Sequence, residues 1–195
     1  GNLNIMKILS DATNLIAEGE VMQLANLGNF SLSVDSYRTV INSKTALLFE
    51  SATHSAGVLA MSKSPKVKEE HVKSIRSYGH HFGMAYQLID DLLDYVGNKT
   101  IMGKNTGDDL SEGKLTLPII LALAKTSGSE KNSLLHALKQ KSSANLEEIV
   151  EIITTSGAIE DTRKAALHEI EQAREHLLHL PENEYLQALE SLTEY

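Results

Sequence analysis

Residues 86–95 read YQLIDDLLDY and place three carboxylates, Asp90, Asp91 and Asp94, within five positions of one another among leucine and isoleucine. Burying a carboxylate without a partner is costly, and neighbouring like charges repel. A hard divalent cation relieves both penalties. Mg²⁺ takes oxygen ligands, keeps several waters and usually needs only one or two carboxylates together with the phosphates of a substrate. On a helix at about 100° per residue, Leu88, Ile89, Leu92 and Leu93 fall in one arc of about 140°. Gln87, Asp90, Asp91 and Asp94 fall in a second arc, about 100° wide. Gly83, one turn earlier, points into the polar arc and is expected to leave space there. The same pattern also describes an amphipathic helix with a solvated acidic face, so the metal reading needs support from elsewhere in the chain.

Two other stretches offer it. GKNTGDDLSEGKLTLP, residues 103–118, carries Lys104, Asp108, Asp109, Glu112 and Lys114 among three glycines, directly after the acidic helix. That position predicts lysines and carboxylates gathered at the helix's C-terminal end, as a diphosphate site requires: acids for Mg²⁺, lysines for phosphate oxygens. NSKTALLFESA, residues 42–52, sets Lys44 and Thr45 in an otherwise apolar helix face. A lysine there either snorkels to solvent or joins a site that needs several cations.

The elements that must position these residues are helical nearly throughout. Only three prolines occur, and no stretch alternates with period two. Helices are expected at 4–28; at 34–61, capped by Ser33 and broken near Gly57; and from Ser64-Pro65 to Val96. After the loop they resume at 115–127, 130–141, 146–155, 158–180 and 182–195. The reading is all-α, one domain, with no internal repeat. At 195 residues, 42% hydrophobic and 5% aromatic with no Trp, the core must be built mostly from Leu, Ile, Ala, Val and Met.

The absence of cysteine excludes disulfides, thiolate metal sites and a Cys nucleophile, and is compatible with the cytoplasm. A net charge of −8 argues against nucleic acid as a partner. No apolar run approaches the ~18 residues that span a bilayer. His168-Glu169 lacks the second His of HExxH, and His80, His81, His176 and His179 make no recognised ligand pattern. P-loop, dinucleotide and serine-hydrolase motifs are missing too.

Taken together, YQLIDDLLDY resembles the second aspartate-rich motif of the trans-prenyltransferases, the polyprenyl diphosphate synthases. AEGEVMQL, SKTALLFE and GKNTGDDLSEGKLTLP resemble their neighbouring blocks in the same order. The likeness runs along essentially all 195 residues and is nearest to the octaprenyl-type, long-chain branch. It implies an antiparallel helix bundle of the isoprenoid synthase type, usually a homodimer. The implied reaction condenses an allylic prenyl diphosphate with isopentenyl diphosphate and releases pyrophosphate with Mg²⁺ assistance, for quinone side chains. By motif, Asp90 is the principal metal ligand, with Asp91 and Asp94 supporting it directly or through water. Lys44 and Lys104 match lysines that hold the allylic diphosphate, and Thr45 and Gln87 match residues near the reacting end of the prenyl chain. Lys114, as a further diphosphate ligand, and Asp108 are weaker matches.

One departure is large. The family carries a first aspartate-rich motif upstream, with further Mg²⁺ ligands, and basic residues that grip isopentenyl diphosphate. Here DDLLD is the only DDxxD. Residues 1–195 are therefore expected to be the C-terminal portion of a single synthase domain, an incomplete bundle, inactive alone. Two other classes remain as alternatives: a noncatalytic partner subunit of a heteromeric prenyl synthase, and a class I terpene cyclase. The intact acids and lysines disfavour the first. The downstream block disfavours the second, whose second motif is generally NSE-like.

Overall fold

The computed structural model of the protein describes residues 2–97 and 106–194. Its elements are α1 (Leu3–Ala25), α2 (Val34–Ile41), a π-helical turn (Asn42–Ala46), α3 (Leu47–Lys63) and α4 (Glu69–Val96). They continue as α5 (Asp108–Glu112), α6 (Leu117–Lys125), α7 (Gly128–Gln140), α8 (Leu146–Thr155), α9 (Ala158–Leu177) and α10 (Glu184–Leu192). No strand occurs among the described residues, so the fold class is all-α, as the missing period-two alternation predicts.

Local chemistry sets several of the helix ends. The Ser33 hydroxyl accepts the Ser36 N–H at 3.1 Å, the cap expected for α2. The Asn183 side chain accepts the N–H groups of Tyr185 and Leu186, both at 3.0 Å, and so starts α10 two residues beyond the expected point. Ser64-Pro65 does not open α4. Its serine is extended, and the Ser64 carbonyl accepts the Val67 N–H at 3.1 Å, which closes a turn before the helix begins at Glu69. Gly57 does not break its helix either. It lies buried inside α3, where a Cβ would stand 2.9 Å from Ile75 Cγ2 and 3.3 Å from Val72 Cα. This glycine lets α3 and α4 pack closely; it does not end anything.

The chain forms two compact units. One takes Gly1–Val21, Ile41–Gln87 and Leu167–Tyr195. In it Tyr78, Ala173, Leu177 and Leu186 form a buried cluster, with Ile75, Phe82, Leu180 and Leu189 packed against it. The Tyr78 hydroxyl meets the Leu189 carbonyl at 3.1 Å, which satisfies the one polar atom that ring brings inside. The other unit takes Met22–Val40 and Leu88–Ala166. Its interior is the aliphatic core that the composition requires: Leu88, Leu110, Ile119, Leu134, Leu138, Ile149 and Ile153 are all sealed from solvent. Each such side chain contributes about 1.5–3 kcal/mol of burial. Helix α6, with Leu117, Pro118, Ile119, Ile120, Ala122 and Leu123 all buried, is enclosed on nearly every side.

Candidate active site

Lys44 and Thr45 sit on the π-helical turn, where the N–H of Leu47 reaches the carbonyl of Asn42, five residues back. Single π turns of this kind gather at functional sites because the extra residue re-aims the side chains around it. Gly83 does not leave open space in front of them. It is buried, and a Cβ there would lie 2.7 Å from Ala46 Cα and 3.0 Å from Phe49 Cδ2. The space is filled by the π turn itself. That close approach lets Thr45 Oγ1 donate to Gln87 Oε1 at 2.7 Å, one helical turn beyond the glycine. A second glycine acts in the same way: a Cβ on Gly19 would stand 2.9 Å from the Lys44 nitrogen. The next residue, Glu20, carries Oε1 at 3.4 Å from Lys44 Nζ, so the AEGEVMQL and SKTALLFE blocks meet there.

The acids follow a different plan from the one the helical wheel suggests. Leu88 and Leu92 are buried as expected, but so is Asp91 at 4% exposure, whereas Ile89 and Leu93 are only half-buried. The reason is Tyr37 of α2, which brings a donor to that side. Its hydroxyl donates to Asp91 Oδ2 at 2.5 Å. Burial, then the Asp91 charge, raise the phenol well above its ordinary pKa, so it stays protonated and remains a donor. Asp90 is half-buried.

Asp94 turns to the following block. Its Oδ1 accepts the Asp108 N–H and its Oδ2 the Asp109 N–H, both at 3.1 Å, which caps α5. Burial and then the Asp109 charge push the Asp94 carboxyl up to about 6, against the pull of those two N–H donors. Lys114 Nζ lies 2.7 Å from Glu112 Oε2 and 3.1 Å from Asp109 Oδ1. Burial alone would lower its ammonium; the two carboxylates outweigh that and hold it above the ordinary lysine value. Asp108 contributes its backbone N–H, and its side chain is exposed. Lys104 lies outside the described residues.

The structure thus brings together Lys44 with Glu20, Thr45 with Gln87, and Asp94 with Asp108, Asp109 and Lys114. Sequence reasoning overlooked Tyr37 and the part played by Asp109. A signal for the first existed: a tyrosine two helical turns before Lys44, in a segment otherwise rich in Ser, Thr and Val. Among the described residues, no group of three or more His, Cys, Asp or Glu side chains is gathered to hold a metal ion alone. All-oxygen donors and a carboxyl raised by burial and by a like-charged neighbour fit a hard dication whose remaining ligands come from phosphate, not a preformed cage.

Comparison with known proteins supplies the family. The model of the family described as Polyprenyl synthetase matches residues 1–155. The chain is 40% identical over 192 residues to an all-trans-nonaprenyl-diphosphate synthase of Rhodobacter capsulatus, covering 98% of this chain and 57% of that one. It is 39% identical over 190 residues to the octaprenyl diphosphate synthase of Escherichia coli, covering 97% and again 57%. Among solved structures, a decaprenyl diphosphate synthase from R. capsulatus superposes with a TM-score of 0.89 at 39% identity, over all of this chain and 59% of the other. A Caulobacter crescentus polyprenyl synthase, complexed with calcium and isoprenyl diphosphate, gives a TM-score of 0.91 at 36% identity, over 99% and 58%. The chain spans little more than half the length of these relatives. Both the family match and the relatives lead to one statement: this chain belongs to the polyprenyl synthetase family.

Proposed function

We propose that the chain carries the second acidic motif and the lysine block of a long-chain, octaprenyl-type trans-prenyl diphosphate synthase. The reaction joins an allylic diphosphate to isopentenyl diphosphate. The observation that carries this reading is the DDLLD motif of α4 joined to the lysine-bearing block, where Asp94 accepts the Asp108 and Asp109 N–H groups and Lys114 meets Asp109, in a chain that matches the polyprenyl synthetase family. Such a site has negative charge in excess and favours a divalent cation. The complex of the Caulobacter relative with calcium and isoprenyl diphosphate supports the same pairing of cation and diphosphate.

In this reading Asp90 is the principal Mg²⁺ ligand and Asp91 and Asp94 support it. Bound Mg²⁺ supplies positive charge to the departing pyrophosphate. Lys44 and Lys104 hold the allylic diphosphate, with Lys114 and Asp108 in lesser roles. The Thr45–Gln87 hydrogen bond fixes two neutral polar groups, whose oxygen dipoles face the allylic carbon as positive charge develops there. Pyrophosphate takes the proton, so no side-chain base is assigned. The assembly is a homodimer, and the setting cytoplasmic. Leu3, Met6 and Leu9, exposed at successive turns of α1, support a subunit contact there, and light scattering measures it directly. No helix among the described residues is long and apolar enough to cross a membrane.

The test is an elongation assay with labelled isopentenyl diphosphate and an allylic diphosphate. A protein extended to the length of the relatives should form long prenyl chains in a Mg²⁺-dependent reaction. The 195-residue chain, with a single DDxxD, should form none. Absence of elongation by the extended protein sinks the assignment, and elongation by the 195-residue chain sinks the need for a second acidic motif.

A further inference from the structure

We propose that Tyr37 is a positioning residue for the acidic motif, holding Asp91 so that the adjacent Asp90 is aimed at Mg²⁺ and diphosphate. The inference rests on the metal reading of Asp90 and adds to it a residue that makes no contact with the ion.

The argument starts from burial. Asp91 and Tyr37 are each 4% exposed, and an ionised carboxylate that deep requires donors. Tyr37 supplies one through the hydroxyl that meets Asp91 Oδ2. Tyr95, 3% exposed, is a second buried phenol next to the motif, and it receives the Thr116 hydroxyl at 3.3 Å. Its hydrogen bond thus links two neutral groups, and Tyr37 is the phenol committed to a carboxylate.

The consequence is mechanical. Asp90 and Asp91 are neighbours on α4, so their side chains leave the helix about 100° apart. Pinning Asp91 to a fixed phenol fixes the rotation of the helix at this point, and with it the direction of Asp90. Groups that orient a metal ligand in this way typically cost about 10–100-fold in metal affinity when they are removed.

Calorimetric titration of the 195-residue chain with Mg²⁺, in the presence of inorganic pyrophosphate, tests this alongside thermal melting. Tyr37→Phe should raise the Mg²⁺ concentration at half-saturation by about tenfold, measured well below the melting temperature. A lowered melting temperature with unchanged Mg²⁺ dependence would mean that the phenol is merely structural, and would overturn the proposal. Should Tyr37→Phe fail to fold, Asp91→Asn carries the test, since its amide oxygen still accepts the phenol O–H. It should then shift the Mg²⁺ dependence less than Asp90→Asn does. An equal or larger shift would make Asp91 a principal ligand beside Asp90 and overturn the anchoring role. If the wild-type chain binds no Mg²⁺–pyrophosphate, the metal reading and this proposal fall together. If wild type binds and Tyr37→Phe binds identically, only the role of Tyr37 falls.

Discussion

Glu50 and Asp94 are both half-buried carboxylates reached by two hydrogen-bond donors, yet their surroundings push them in opposite directions. Glu50, in the first unit, faces a guanidinium and an imidazole: Arg76 Nη2 at 2.6 Å from its Oε1 and His80 Nδ1 at 3.3 Å from its Oε2. The His80 hydrogen bond, with Arg76 behind it, lowers the carboxyl below its ordinary value in spite of burial. Glu169 is likewise buried beside an imidazole, at 3% exposure with His81 Nδ1 at 2.7 Å, and His176 stacks on that ring. Asp94, in the second unit, has neutral N–H donors, and burial, then its like-charged neighbours, raise its carboxyl to about 6. An acid that brings its own cation is part of the scaffold. An acid raised by burial and by other acids marks the place where a cation from outside is expected.

The largest effect should come from the acidic side of that contrast. Asp90→Ala, in a protein extended to the length of its relatives, should lower turnover by about 10²–10³-fold, the scale of removing one electrostatic stabiliser of a developing charge. Stability should change by about 1 kcal/mol, the usual scale of a single substitution outside the sealed core. Steady-state rates at saturating Mg²⁺ and a thermal melt measure both. Turnover near wild type would remove Asp90 from the metal site and dissolve the distinction.

Glu50→Gln should do the reverse. It should cost about 1–3 kcal/mol, the range for disturbing hydrogen bonds to a charged group, and leave pyrophosphate–Mg²⁺ binding unchanged. The pH dependence follows from the sign of the shift. Because Glu50 titrates lower in the folded chain than in the unfolded one, its contribution is complete above the ordinary carboxylate pKa and is lost as pH falls through the folded value. Denaturant melts from pH 7 to pH 3 should therefore show a shallower acid limb for Glu50→Gln than for wild type. Parallel acid limbs would show that Glu50 is not a paired scaffold acid.

Much of this was legible in the sequence, for identifiable reasons. Period and caps located the helices, because a leucine-rich pattern without alternation and a serine at position 33 each have few other readings. The glycines were misread in a consistent way. Read locally, Gly57 is a break and Gly83 is open space, but both act across a contact with another helix or turn, and only tertiary packing reveals that. The π turn at 42–46 was hidden for the same reason, since an inserted residue changes aim without changing composition. In the acidic motif the residue types point to the chemistry, but the helical wheel puts the three aspartates on one face. The structure separates them: Asp91 goes to a tyrosine 54 positions away, and Asp94 to the backbone of the next block.

The smallest expected effect probes Asp94 itself. With its folded value near 6 and an unfolded value near 3.9, the folded chain holds more protons between those limits. Stability from this group therefore falls as pH rises from about 4 to about 6, opposite in sign to Glu50. The group is half-exposed, so solvent screening leaves on the order of 1 kcal/mol of what an unscreened shift would give. Asp94→Asn keeps an acceptor for α5 and removes the repelling charge. Its stability at pH 7 should equal or slightly exceed that of wild type, and the fall between pH 4 and pH 6 should flatten. Saturating Mg²⁺ with pyrophosphate should flatten the same limb in the wild-type chain, because a bound dication favours the ionised carboxyl that the protein alone disfavours. Denaturant melts at half-unit pH steps, with and without Mg²⁺–pyrophosphate, measure each slope. A wild-type limb that does not respond to Mg²⁺–pyrophosphate would leave Asp94 as the cap of α5 and nothing more.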